Sequence, residues 1–539
     1  MPALPIDRRS LFRAGALGLA GLAGPAFAQA KGFTHHVASG EPGPDQVLLW
    51  TRYVGSGAAQ LGWEVAEDQT FRTTVASGTA LAGPERDWCA KAMATGLQPG
   101  RWYYYRFIAP SGEVSAIGRT RTLPVGKVPS FKLAVFSCAN FGFGWFNAYA
   151  HAAQAGDFDL SVHLGDYYYE YKRGEYPTPK QAHPGRPLPL DEATTLTGYR
   201  ERMATYRADP DLLRLHQCAP MVLMWDDHEV ANDSWKGGAE NHDASEGDWQ
   251  VRRRASERAW REWLPVSDAD WAAYQIGDLA TLFRLETRHV ARDQAFNLVT
   301  MLRDAAPAEI PRILARFRAG AWRDPARHLL GTAQEAWLAR ALKASKRSGK
   351  RWQVLAQQVV MGELALPEIA AETLPAVANA RTQTTVKALD AASRAGLPFN
   401  MDAWDGYPAA RARLYRSALD AKAELLVLSG DSHNAWAFDH ALDGQRVGAE
   451  FGVHAVTSPG AEDYLPWIKP ENLAPALVKR NPTLQWCDTA QRGYLALELT
   501  PTAATGEWRF LQTVRQQGTA LAGTKRMTVL AGQRQFTRS

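Results

Sequence analysis

Between Phe33 and about Thr122 short apolar runs alternate with turn residues: Gln46–Arg52, then Leu61–Val65, then Trp102–Phe107. Runs of this length and spacing predict a small β-sandwich. Leu97-Gln98-Pro99-Gly100 before the Tyr-rich run predicts a tyrosine corner, in which a Tyr hydroxyl ties back to the backbone. Pro124, Gly126 and Pro129 then form a linker, and beyond Phe131 the pattern changes. Continuous apolar runs alternate with longer helical patterns, as expected where strands are buried on both faces. Thr332-Ala333-Gln334-Glu335 reads as a capping box opening a helix with Trp337, Leu338 and Leu342, ended by Lys346-Arg347-Ser348-Gly349. Trp352 to Met361 reads as a strand, and Arg173 to Pro189 as a long surface loop.

These patterns divide the chain into a leader over 1–28, a fibronectin- or immunoglobulin-like β-sandwich over 29–127 and a layered α/β domain over 128–539. The leader carries Arg8-Arg9-Ser10-Leu11-Phe12, a small-residue apolar stretch and the cleavage-type triplet Ala26-Phe27-Ala28. It reads as a twin-arginine export signal, placing the mature protein in the periplasm or outside the cell, with the export machinery as its first partner. Gly15, Gly18, Gly21, Gly24 and Pro25 interrupt the stretch, and about 20 firmly apolar residues are needed to span a bilayer, so no membrane span is expected after processing. A net charge of +5 over 539 residues is too weak to suggest a nucleic-acid surface. The four cysteines, Cys89, Cys138, Cys218 and Cys487, form neither a zinc-knuckle spacing nor a CxxC pair. In an oxidising compartment a bridge among Cys89, Cys218 and Cys487 stays open.

Four apolar runs end in the same manner. Leu133–Phe136 leads to Ser137-Cys138-Ala139-Asn140, Leu160–Leu164 to Gly165-Asp166 and three tyrosines, Met221–Trp225 to Asp226-Asp227-His228-Glu229, and Leu425–Ser429 to Gly430-Asp431-Ser432-His433. The carboxyl ends of strands in such folds open on one crevice. Gathering Cys138, Asp166, Tyr169, Asp227 and Asp431 there would assemble anionic groups that cannot stay charged unpaired. Bound cations resolve the conflict. One Asp after one strand is more often a helix cap, and one buried Cys a small hydrophobe; four strand ends carrying such residues together are the signal. Thiolate, phenolate and imidazole from Cys138, Tyr169 and His433 suit ferric iron, while carboxylates suit calcium, magnesium or manganese. Asp166 is placed to serve both. Such a pair activates a bound water as hydroxide and clamps the oxygens of an in-line displacement, with His228 as proton donor or charge stabiliser. Tyr167, Tyr168, His35, His36 and His163 are expected to be structural.

At these motifs the chain resembles the PhoD-type alkaline phosphatases, relatives of the purple acid phosphatases among the calcineurin-like metallophosphoesterases. The similarity extends through Trp404-Asp405-Gly406-Tyr407, Gly237–His242 and Arg492-Gly493-Tyr494. It implies a four-layer α/β/β/α catalytic domain preceded by a small β-sandwich, and hydrolysis of phosphate esters by iron with one or two calcium ions. By that resemblance Cys138, Asp166, Tyr169 and His433 hold iron, and Asp166, Asp227 and Asp431 reach the second metal. Asp227 stands where the wider superfamily carries Asn, and Asp431 where many relatives carry His, changes that favour a hard cation. Asn140 is implied to contact substrate or the second metal. Glu286-Thr287-Arg288 replaces a common Asp-Thr-Arg with little expected effect at the metals, and a C-terminal region including Asn481-Pro482 and Gln485-Trp486 is expected to cap the cleft.

The leading reading is an exported phosphatase of small phosphate esters. A phosphodiesterase, including a phospholipase D-like one, uses the same metal pair. Arg200, Arg207 and Arg288 are the candidate clamps for a monoester dianion that would separate the two. A noncatalytic module with structural cations has no need of the acid–base group at Asp227-His228.

Overall fold

The computed structural model describes residues 31–538. The leader, with its export motif, lies outside the described residues. Among those residues no helix is long and apolar enough to cross a membrane.

Three sheets organise the chain, of nine, seven and four strands. In the first, Phe131–Phe136, Leu160–His163 and Met221–Leu223 run parallel. In the second, Ala280–Arg284, Trp352–Ala356, Leu425–Ser429 and Gln445–Gly452 do the same. Side chains alternate across each strand, and that alternation builds the layers. Leu133, Val135, Val162 and Val222 of the first sheet meet Leu282, Val354, Leu426 and Leu428 of the second in one apolar core. The opposite face of the first sheet, with Ala134, Phe136 and Leu223, packs on Tyr149, Met203, Leu212 and Trp260 from four helices. Leu425 and Val427 of the second sheet meet Leu338, Leu342 and Leu414 from helices Gly331–Arg347 and Pro408–Asp420. The order is therefore helices, sheet, sheet, helices, as expected. Each such buried side chain contributes about 1.5–3 kcal/mol by leaving water.

The sandwich that precedes these layers shares a sheet with them. Gly32–Gly40, Gln46–Val54 and Cys89–Thr95 pack through Val37, Leu49 and Ala92 on Leu61, Val65, Tyr105 and Phe107 of the four-stranded sheet. The Gly32–Gly40 strand also pairs in parallel with Met221–Leu223, at Gly40 and Met221, which extends the first sheet outward. The tyrosine corner is present: Gln98 N donates to the Tyr103 hydroxyl at 2.8 Å.

Local expectations differ from the structure in two places. The helix at 331 starts two residues earlier than the capping box required, at Gly331, with Leu330 at its N-cap and no side-chain cap bond. Gln334 is buried and donates to Glu286 O at 2.7 Å, so the polar residue ties helix to loop. The strand at 352 ends at Ala356, because Gln357 and Gln358 leave the ladder; Gln358 Nε2 donates to Trp225 O at 2.8 Å, joining the two sheets. The 173–189 loop has no helix or strand, as expected, and is pinned by buried Arg186, which pairs with Asp209 and lies 3.6 Å over the Phe141 ring. Asn481 is buried and accepts from Ala365 N at 2.7 Å, while the Trp486 ring lies tilted 4.9 Å from that of Trp508. All four cysteines are free thiols.

Candidate metal centre

Because the central strands are parallel, their carboxyl ends emerge on one edge, and the two edges face each other across the crevice. Gly430 makes that approach feasible: a Cβ there would stand 2.1 Å from Ser137 Oγ. Val456 N donates to Ser137 O at 2.9 Å, and Thr457 Oγ1 to Asn140 O at 2.7 Å, locking the facing loops. The turns are tight enough to force unusual backbone. Cys138, Asp166, Asp431 and His433 have φ of 57°, 52°, 62° and 63°, in the left-handed region. Such conformations persist where surrounding structure holds them, and they cluster at functional sites.

Three sets of side chains converge, with the ligand-type atoms of each set within 4.8 Å of one another: Cys138, Asp166 and His433; Asp166, Asp227 and His228; Asp226, Asp227 and Asp431. Asp166 belongs to two sets and Asp227 to two. The Tyr169 hydroxyl donates to Asp166 Oδ2 at 2.9 Å, accepts from Ser458 Oγ at 2.8 Å and lies 3.4 Å from His433 Nε2. His433 Nδ1 donates to Pro459 O at 2.6 Å, which leaves the Nε2 lone pair facing the cluster. Burial lowers the His433 pKa to about 3, so the imidazole is neutral, the form that binds metals.

His228 is oriented from behind. Its Nδ1 donates to Glu170 Oε2 at 2.8 Å, and its ring lies 4.2 Å from that of Tyr169. Glu170 Oε1 accepts from Asn232 N at 2.8 Å and Asn241 Nδ2 at 3.1 Å, so the carboxylate is itself fixed. Burial disfavours the imidazolium, but Asp227, Glu170 and Asp166 outweigh it and raise the His228 pKa well above the usual value. Glu229 accepts from Asp226 N at 2.6 Å, Tyr167 N at 2.6 Å and Asp166 N at 3.2 Å, joining two strand ends. Asn140 is committed locally, its Oδ1 accepting from Gly142 N at 3.0 Å.

The charge balance shows which groups fit a cation. Burial, with Asp226 and Asp227 nearby, drives the Asp166 and Asp431 carboxyls well above the carboxylate range. Burial and Asp166 raise the Cys138 thiol and Tyr169 phenol likewise. Asp166 Oδ1, Asp226 Oδ2 and Asp227 Oδ1 are buried without a hydrogen-bond partner. Orphaned carboxylate oxygens beside a thiol, a phenol and a neutral imidazole are a donor set that fits cations.

Of the three clamp candidates, only Arg288 reaches the centre, and not as a clamp. It is fully buried and pairs with Asp226, with Asp402 at 2.6 Å and Asp431 at 2.9 Å, so it neutralises acids beneath the crevice. Arg200 pairs with Glu262 at 2.7 Å, and Arg207 lies 4.6 Å over Trp50 inside the helical layer. Tyr167, Tyr168 and His163 are buried in packing positions: Tyr167 meets His216, Tyr168 donates to Glu229 O, and His163 meets Tyr149. Asp226, Glu170, Glu229 and Asp402 had no role assigned from sequence. Asp226 and Glu229 carried a signal, acids flanking Asp227-His228 at a strand end, and Glu170 closes the run after Asp166; Asp402 carried none.

Two facing sheets with acid-, thiol- and imidazole-bearing loops at their strand ends define a layered α/β fold with a candidate cation site of the kind hydrolases use. Residues 133–508 match the model of the PhoD-like phosphatases, and residues 20–124 that family's N-terminal domain. The chain belongs to the PhoD-like phosphatase family and is a phosphoric ester hydrolase. It is 32% identical over 516 residues to alkaline phosphatase D of Bacillus subtilis (strain 168), spanning 91% of this chain and 79% of that one. A solved structure of PhoD superposes with a TM-score of 0.76 at 30% identity, covering 94% of this chain and 92% of that chain.

Proposed function

We propose that this hydrolase is an exported alkaline phosphatase that works with iron held by Cys138, Asp166, Tyr169 and His433, and with calcium held by Asp166, Asp227 and Asp431. The observation that carries the reading is the sharing of Asp166 between two adjoining donor sets whose buried carboxylate oxygens lack partners. Cations bound there supply Lewis-acid charge that activates water and offsets charge on phosphoryl oxygens. His228, held at Nδ1 by Glu170, presents Nε2 toward the crevice and gives its proton to the leaving oxygen. Asn140 keeps the loop after Cys138 in place and lies beside the substrate. The Arg8-Arg9 motif and Ala26-Phe27-Ala28 support export by the twin-arginine route into the periplasm or beyond.

A diesterase reading draws support from one feature: Arg200, Arg207 and Arg288 are all engaged elsewhere, leaving none of the three to meet the extra charge of a monoester. The deciding experiment compares kcat/KM for 4-nitrophenyl phosphate and bis(4-nitrophenyl) phosphate on protein loaded with iron and calcium. Preference for the monoester supports the phosphatase; preference for the diester replaces it with the phosphodiesterase. Unchanged hydrolysis in His228→Ala would remove the proton-donor role.

A further inference from the structure

Beside the metal centre lies a cavity of about 390 Å³, near the lower end of the ~300–1,000 Å³ usual for small-molecule sites. Its walls are Leu364, Leu366, Val386, Leu389, Phe399 and Leu473. Ser432 and Asn434, on either side of His433, line its inner end. At its rim the Tyr464 hydroxyl is 3.4 Å from that of Tyr176, whose ring lies 5.8 Å from the Tyr169 ring. The cavity therefore adjoins the place where an ester would react.

Several polar groups of the wall are engaged with one another or with the backbone. Ser432 Oγ accepts from Trp436 Nε1 at 2.6 Å, and Asn434 Oδ1 from Ala461 N at 3.0 Å. Asn400 Oδ1 accepts from Asp402 N at 2.9 Å, and Asp405 is held by Arg411 at 2.7 Å. An occupant finds mainly apolar surface, with the Thr382 and Thr385 hydroxyls and the Asn400 amide as the polar groups left to meet it. A sugar, a nucleotide or a polyol carries more hydroxyls than these few groups can pair, and each hydroxyl left buried without a partner is disfavoured. Arg381 is the cation at the mouth, and next to it the uncharged run Leu374–Ala378 exposes Val377 to 94%. Both features suit a substrate that arrives with an apolar chain.

We infer that this cavity receives an unbranched alkyl arm of the phosphate ester, so that the enzyme selects alkyl phosphates over short ones. The inference rests on the ester hydrolase reading. Transfer of a methylene from water is worth about a fourfold change in affinity, which sets the scale of the test. The metal-loaded full chain is assayed on ethyl against octyl phosphate, and on the methyl against the octyl ester of 4-nitrophenyl phosphate, below their micelle concentrations. The expected kcat/KM ratio, long over short, is about tenfold or more in whichever pair is turned over. Thr385→Trp fills the cavity from helix Ala380–Arg394 and should bring that ratio toward one, with an unchanged Tm checking the fold. Octylphosphonate should likewise inhibit at least about tenfold more strongly than ethylphosphonate, a readout that needs no variant. Turnover of the short esters with ratios near one, or equal inhibition by the two phosphonates, overturns the inference and leaves the hydrolase. No turnover in either pair overturns the proposed function and this inference with it.

Discussion

Cys138, Tyr169 and His433 stand on one side of Asp166, bonded to Ser137, Ser458, Pro459 and one another. Asp226, Asp227 and Asp431 stand on the other side, where Arg288 and Arg292 meet them and Asp402. The first side has hydrogen bonds that orient its donors and no built-in guanidinium among those bonds. The second carries part of its own neutralising charge. Burial works against the Asp227 carboxylate, yet Arg288 and His228 hold it ionised well below the usual range, while Asp166 and Asp431 remain pushed upward. The contrast suggests a division of labour. The thiol side depends on a cation for its charge and should hold it tightly, whereas the acid side tolerates exchange because its guanidiniums remain when a cation leaves.

Asp166 is the hinge of that contrast, and Asp166→Asn should have the largest effect. It should reduce kcat/KM by about 10³-fold or more, beyond the ~10–100-fold commanded by outer partners of a metal site, and should lower both iron and calcium content. Loss of only one metal would separate the two sides. Arg288→Met comes next, since it leaves several buried acids uncompensated; urea unfolding should show a loss of about 3–5 kcal/mol. Excess calcium should restore part of it, and no restoration would mean that the acid side is a structural ion-pair network. Glu170→Gln should lower kcat by roughly 10–100-fold with little change in KM, because it loosens His228 without removing a donor. Ser458→Ala should be mildest, about 1 kcal/mol for the lost bond to Tyr169, read as a small loss in urea unfolding with little change in rate.

The strands that carry the site were legible because each is a short apolar run ending abruptly in polar residues, and local pattern suffices to find such ends. Leu133–Phe136 and Leu425–Ser429 lie within one or two residues of their observed strands. The shared edge at Gly40 and Met221 was not legible, since pairing between strands 181 positions apart leaves no period in the chain. Thr332 misled for the opposite reason: its capping signature is local, and Gln334 is used by a tertiary contact with Glu286. Within the site, the expected ligands converge because parallel strands bring their ends together. Arg288 looked like an open clamp until its burial among Asp226, Asp402 and Asp431 became visible. Glu170 and Glu229 act by holding other groups, and nothing in sequence spacing marks a residue whose role is to orient its neighbours.

Metal content together with the visible spectrum tests the account most directly. Purified wild-type protein and Tyr169→Phe would be compared side by side, each folded with iron and calcium present. The account predicts that the wild type binds both metals and is coloured by charge transfer from Cys138 and Tyr169, and that Tyr169→Phe loses or shifts the band. Colourless wild-type protein, free of iron and fully active, would contradict it.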